Sequence, residues 1–124
     1  MSKPPALSFD KFSFEEGSYK RGNKYWMTTT LLKAVKDQEL EVFDYPCAAY
    51  DMSNKNFSVE NMDDFCWHVH RLLAADYESN PIILDDLGQI ADGNHRLCHA
   101  IVDGAATVQA YRLKEMPEPD FVVD

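Results

Sequence analysis

The chain has 124 residues, 21 of them acidic and 12 basic, for a formal net charge of -9 at pH 7. That length holds one domain of ordinary size and nearly excludes two. With 45% hydrophobic, 12% aromatic and 27% charged residues it can build a core without disulfide staples, and its composition is that of neither a disordered nor a membrane-embedded chain.

No window approaches the roughly 18 apolar residues of a membrane span, and residues 1–10 lack the basic-then-apolar pattern of a signal peptide, so the expected address is cytoplasmic with no membrane partner. Cys47, Cys66 and Cys98 are odd in number and irregularly spaced, which suits reduced thiols better than a disulfide framework. An acidic chain repels phosphate backbones at long range, so nucleic acid binding by this chain alone is not expected.

In chain order, residues 1–27 read as an N-terminal extension. Leu7, Phe9, Phe12 and Phe14 are scattered among charges, and Gly17 and Gly22 interrupt any regular pattern. The expectation is an arm whose aromatics lie across the domain, in part as a short strand. Tyr19, Lys20, Arg21, Lys24, Tyr25 and Trp26 form a basic and aromatic cluster of the kind on which nucleobases stack. A solvated turn with its rings packed on the domain is the commoner use of such residues.

Residues 28–38 show a helical pattern, with Thr28 as cap and Met27 and Leu32 spaced as a hydrophobic staple. Leu40 to Tyr45 alternates in part, and Pro46 requires an edge, a bulge or a strand start. Residues 53–57 read as a polar loop. Met62, Phe65, Cys66, Val69, Leu72 and Leu73 then recur at three and four spacing, predicting a helix capped by Ser58, with Glu60, Asp63 and Asp64 complementing its dipole.

Ile82, Ile83 and Leu84 predict a short buried strand. Asp86, Leu87 and Gly88 make a turn, and residues 89–91 the return strand. A helix is expected from Asn94 to Asp103, burying Leu97, Ala100 and Ile101, with Gly104 at the left-handed C′ position. Residues 107–113 predict the last strand, and residues 114–124, rich in proline and acids, an acidic C-terminal tail.

The informative stretch is Asp92-Gly93-Asn94-His95-Arg96, between a strand and a helix. Glycine permits a sharp turn, and the helix start presents backbone N–H groups with partial positive charge. His95 and Arg96 add a tunable donor and a permanent fork of donors, the chemistry a phosphate requires. The plainer alternative is an arginine paired with a nearby carboxylate and a histidine capping a loop. His68 and Arg71, three apart on the preceding helix, would extend a polar pocket or simply form a solvated face. Two further pairs, Cys66 with His70 and His95 with His99, have the i, i+4 spacing of zinc ligands. Cys66 falls on the apolar stripe and His95 is claimed by the phosphate reading, so no metal site is expected there.

Pro81-Ile82-Ile83-Leu84, the turn at Gly88, Asp92-Gly93-Asn94-His95-Arg96, Ala100, Gly104 and Val108 together resemble the core of the ParB and sulfiredoxin superfamily. The likeness runs in order and spacing over residues 81–113 and more loosely over residues 43–73; residues 1–38 lie outside it. It implies a single α/β (α+β) domain over residues 28–113, a small mixed sheet flanked by helices. It also implies that the loop equivalent to Gly93, Asn94, His95 and Arg96 binds the phosphates of ATP or CTP, with Mg2+.

Within the superfamily, sulfiredoxins carry Gly-Cys-His-Arg; here Asn94 stands where their cysteine acts, and cannot be a thiolate nucleophile. Cys98, a turn further on, reads as a packed thiol. ParB proteins carry Gly-Glu-Arg-Arg and a following helix-turn-helix domain, neither of which matches. The motif is closest to that of free serine kinases, Asp-Gly-x-His-Arg. These place a catalytic glutamate after the first strand, where Ser53-Asn54-Lys55-Asn56 has no acid. Asp51 and Asp92 are therefore the candidate catalytic residues, as base or Mg2+ ligand, although Asp92 is equally suited to a turn. The reactions implied are phosphoryl transfer or nucleotide hydrolysis. The alternative class is a non-catalytic acidic protein that binds a basic protein partner; a nuclease-like role is disfavoured by charge and by the lack of an acidic metal cluster.

Overall fold

The computed structural model describes residues 17–53 and 59–124. They form a mixed α and β fold with three α-helices and two sheets. In order, the elements are β1 (Ser18–Arg21), β2 (Lys24–Met27), α1 (Thr28–Asp37), β3 (Phe43–Pro46), a 3-10 turn (Cys47–Ala49), α2 (Met62–Ala74), β4 (Ile82–Leu84), β5 (Ile90–Asp92), α3 (Asn94–Val102), β6 (Thr107–Arg112) and β7 (Phe121–Val122).

The main sheet has the order β3-β6-β4-β5. β6 runs antiparallel to β3 and parallel to β4, and β4 runs antiparallel to β5. All three residues of β4 are buried, and the strand's period of two explains why. Ile82 and Leu84 pack with Leu97, Ala100, Val108 and Ala110 on one face, while Ile83 packs with Trp26, Leu31, Ala34 and Leu113 on the other. A strand covered on both faces is apolar without alternation. Thus α3 lies on one side of the sheet and α1 with Trp26 on the other. Pro46 ends β3, which is an edge strand, where a missing N–H costs least.

The stretch expected as an arm is, from Ser18 onward, a β-hairpin that pairs with β7 to make the second sheet, β1-β2-β7; residues 1–16 lie outside the described part. The C-terminal stretch is likewise held along its length. Trp26 Nε1 donates to Pro117 O at 2.7 Å, and the Gln38 side chain bonds Lys114 N and Glu115 O. β6 is therefore not the last strand. The basic and aromatic cluster is largely engaged internally: Trp26 is buried, Arg21 pairs with Asp85 and Asp86, and Lys20 sits over the Tyr25 ring.

Two helix caps differ from expectation. Thr28 does not cap α1; its hydroxyl donates to Gly17 O at 3.0 Å, while Asp120 accepts from Met27 N and from the Thr30 hydroxyl, placing a carboxylate at the positive helix end. For α2 the cap is Asn61, whose side chain accepts from Asp64 N; the expected cap, Ser58, and the polar loop from Asn54 onward lie outside the described residues. The apolar stripe of α2 faces α3 only in part, leaving Met62 70% and Phe65 50% exposed. α3 begins as read and ends one residue earlier than expected, at Val102, with Gly104 at φ 80° after it.

Candidate functional site

The Gly93 turn is set by packing. Its φ of 111° is a conformation that side chains disfavour, and a β-carbon there would stand 2.5 Å from Ile82 Cγ2. The chain thus passes directly over the central strand and enters α3, whose first-turn N–H groups have no carbonyl of their own helix to bond. A cleft of about 390 Å3 opens there, between the start of α3 and the C-terminal half of α2. Asp92, Gly93, Asn94, His95 and Arg96 line one wall, and His70, Arg71 and Asp76 stand opposite.

Arg96 is held on three sides. Nη2 donates to Asp92 at 2.7 Å, and Nη1 donates to Pro81 O at 2.9 Å and Asn80 O at 3.2 Å. The plainer reading, an arginine paired with a carboxylate, accordingly describes much of what this residue does: it clamps the loop to the entry of β4. The other guanidinium in the cleft is that of Arg71, lying over the Trp67 ring at 5.3 Å.

His95 meets His68 across the helix pair. His68 Nδ1 and His95 Nε2 are 2.8 Å apart, and the rings are nearly parallel, at 13°. Burial, then the Arg71 charge and His68, push the His95 imidazole down to about 4, so it is neutral at pH 7. The unfolded chain binds a proton near pH 6.5 that this site refuses. Stability is therefore expected to fall as the pH drops from above 6.5 toward 4, by up to about 1.4 kcal/mol per pH unit from this group. Urea unfolding at pH 7, 6 and 5 checks this, and a wild-type slope equal to that of His95→Gln would contradict it.

The two candidate catalytic carboxylates are not together. Asp92 lines the first cleft in its salt bridge with Arg96. Asp51 lines a second cleft, of about 620 Å3, with Tyr19, Tyr45, Tyr50 and Lys20. Asn94 borders both clefts, and its Oδ1 accepts from the Tyr50 hydroxyl at 2.9 Å. Asp51 accepts from the Ser53 hydroxyl and N–H, which lowers its pKa and makes it a weaker base. Cys98 is half-buried, and burial raises its thiol pKa, so it is no thiolate.

His99 Nδ1 bonds Ala75 O at 2.7 Å, Cys66 is exposed, and among the described residues no three His, Cys, Asp or Glu side chains gather as metal ligands. No described helix is long and apolar enough to cross a membrane. The sequence motif located the α3 wall of the first cleft; Arg71 was legible only as half of a polar pair, and of the second cleft Tyr19 and Lys20 belonged to the basic and aromatic cluster while Tyr45 and Tyr50 carried no signal. Comparisons with family models, curated proteins and solved structures give no match for this chain.

Proposed function

We propose that this protein binds the phosphates of a nucleotide, ATP or CTP, in the cleft between α2 and α3. The observation that carries this reading is the convergence of Arg71, His70, His95 and Arg96 on the start of α3, where backbone N–H groups and the helix dipole also favour an anion. The donor set fits a polyphosphate: a guanidinium on each wall, imidazoles beside them, and a glycine turn without a side chain. The resemblance of Asp92-Gly93-Asn94-His95-Arg96 to the phosphate-binding loop of the ParB and sulfiredoxin superfamily supports the same ligand. Mg2+ would accompany the nucleotide as its counter-ion. In a phosphoryl transfer, the tyrosine-lined cleft across Asn94, with Asp51 on its wall, would receive the acceptor.

Calorimetric titration with ATP and CTP, with and without Mg2+, tests the reading. Arg71→Ala is the informative variant, since Arg96 also ties the loop to β4. Saturable binding that weakens at least tenfold in Arg71→Ala is expected, with unfolding midpoints unchanged, because a desolvated charge-assisted phosphate contact contributes about 1.5–3 kcal/mol. Absence of saturable binding by either nucleotide would overturn it.

A further inference from the structure

Both sheets end at the second cleft. β5 is an outer strand of the main sheet and β1 an outer strand of the smaller one. Ile90 and Ala91 of the former and Ser18, Tyr19 and Lys20 of the latter line the same space of about 620 Å3. Among the described residues no main-chain hydrogen bond joins the two strands. The hairpin register shows which way the main chain of β1 is turned. In an antiparallel pair, opposite residues either bond each other or both turn their N–H and C=O groups outward. Tyr25 O accepts from Asp120 N at 2.9 Å, on the far side of β2, so Lys20, opposite Tyr25, turns its groups away from β2 as well. Ser18 does the same by the period of two, and Met27 N opposite it bonds the Asp120 carboxylate instead. The main-chain donors and acceptors of Ser18 and Lys20 therefore point out of the β1 edge, toward the cleft.

Two N–H and two C=O groups in strand register are the chemistry that recognises another extended polypeptide. The side chains of β1 divide the space beside it. Tyr19 turns inward, its hydroxyl on Asp85 at 2.7 Å, while Lys20 lies over the Tyr25 ring on the outer side. A strand added beside β1 would alternate in the same way. One set of its side chains would enter the part of the cleft walled by Tyr19, Tyr45, Tyr50 and Asn94, and the other set would face solvent. The net charge of -9 attracts a basic segment at long range and repels an acidic one. Within the hairpin the Arg21 charge is already offset by Asp85 and Asp86.

We propose that the β1 edge binds a basic, extended segment of a partner protein, which adds as a fourth strand to the β1-β2-β7 sheet and places alternate side chains in the tyrosine-lined cleft. The binding does not rest on the nucleotide reading. Where that reading also holds, the proposal names the class of acceptor as a polypeptide.

The test is selection against the full chain, without nucleotide, from a library of end-blocked ten-residue peptides with lysine or arginine at every second position and random residues between. The best binder is then taken to calorimetry and backbone NMR. Saturable binding is expected, with amide exchange at Ser18 and Lys20 slowed by about tenfold or more. Lys20→Pro removes one outward N–H without touching a bond from β1 to β2, at an edge where proline is tolerated. It should weaken the peptide about tenfold, whereas Lys20→Ala, which keeps the N–H, should change affinity by no more than about twofold. Methylating the amide nitrogens of alternate peptide residues should abolish binding for one alternating set and spare the other. Equal effects of the two Lys20 variants, indifference to which set is methylated, or no binder at all would overturn the proposal. So would a dimer in sedimentation that Lys20→Pro dissociates, since the edge would then belong to a second copy. Should Lys20→Pro not fold, the methylated peptides decide with the wild-type chain. A failure here leaves the phosphate site standing, and failure of ATP to bind leaves this edge untouched.

Discussion

Gly93→Ala should destabilise the protein by about 3–5 kcal/mol, combining backbone strain with overpacking of the core, a large share of the stability of a small domain. The new methyl group would stand 2.5 Å from Ile82 Cγ2 and 2.9 Å from its Cβ. Ile82 is fully buried on the central strand, so it cannot swing away without displacing Leu97 and Ala100 in the same cluster. Gly22→Ala is the control. Gly22 also has positive φ, at 63°, but nothing stands within 4 Å of a β-carbon there, so that change should cost only about 1 kcal/mol. Urea unfolding of both variants separates clash from conformation. Equal losses would mean that the contact with Ile82 contributes nothing.

Asp85→Ala should be of similar size, at about 3–5 kcal/mol. The Asp85 carboxylate is fully buried and accepts from the Tyr19 hydroxyl at 2.7 Å, Gln89 N at 2.8 Å, Leu87 N at 2.9 Å and Arg21 at 3.3 Å. Alanine would leave these donors facing an apolar gap and release the β1 hairpin from the β4–β5 turn. Asp85→Asn keeps an acceptor oxygen but presents an amide to two donors, and should fall between wild type and alanine. Arg21→Ala should cost less than either, because the Arg21 side chain is a third exposed and Asp85 keeps its other three donors. Unfolding midpoints in urea give the ranking. An alanine variant as stable as wild type would show that the hairpin is held by Trp26 and β7 alone.

Much of the core was legible because its signals are local. Ile82-Ile83-Leu84 reads as a buried strand from three adjacent residues, and Gly104 marks the end of α3 because the left-handed position after a helix favours glycine. The Asp92 to Arg96 stretch could be placed between a strand and a helix for the same reason. The caps went to other residues where competing partners sit nearby or far along the chain. Thr28 found Gly17 O, Asn61 rather than Ser58 caps α2, and the acid at the start of α1 is Asp120, some ninety positions away.

The role of Arg96 also depended on context. Its motif suggests a phosphate grip, and its neighbours at Asn80, Pro81 and Asp92 turn it into a clamp as well. Arg71 and His68 carry no motif, and only the packing of α2 against α3 brings them to His95. The second cleft exists because a hairpin made from residues 18–27 folds back beside Tyr50 and Asn94.

By itself, then, the sequence determined the mixed α and β character, the central strand, the α3 boundaries and the position of the Gly93 turn, since these follow from side-chain period, glycine conformation and helix termini within a few residues. Only the tertiary structure decided which charges face one another: the His68–His95 pair, the Arg96 clamp, the buried Asp85 and the separation of Asp51 from Asp92. Such contacts join residues distant in the chain, and their strength depends on burial and distance, which no local pattern encodes.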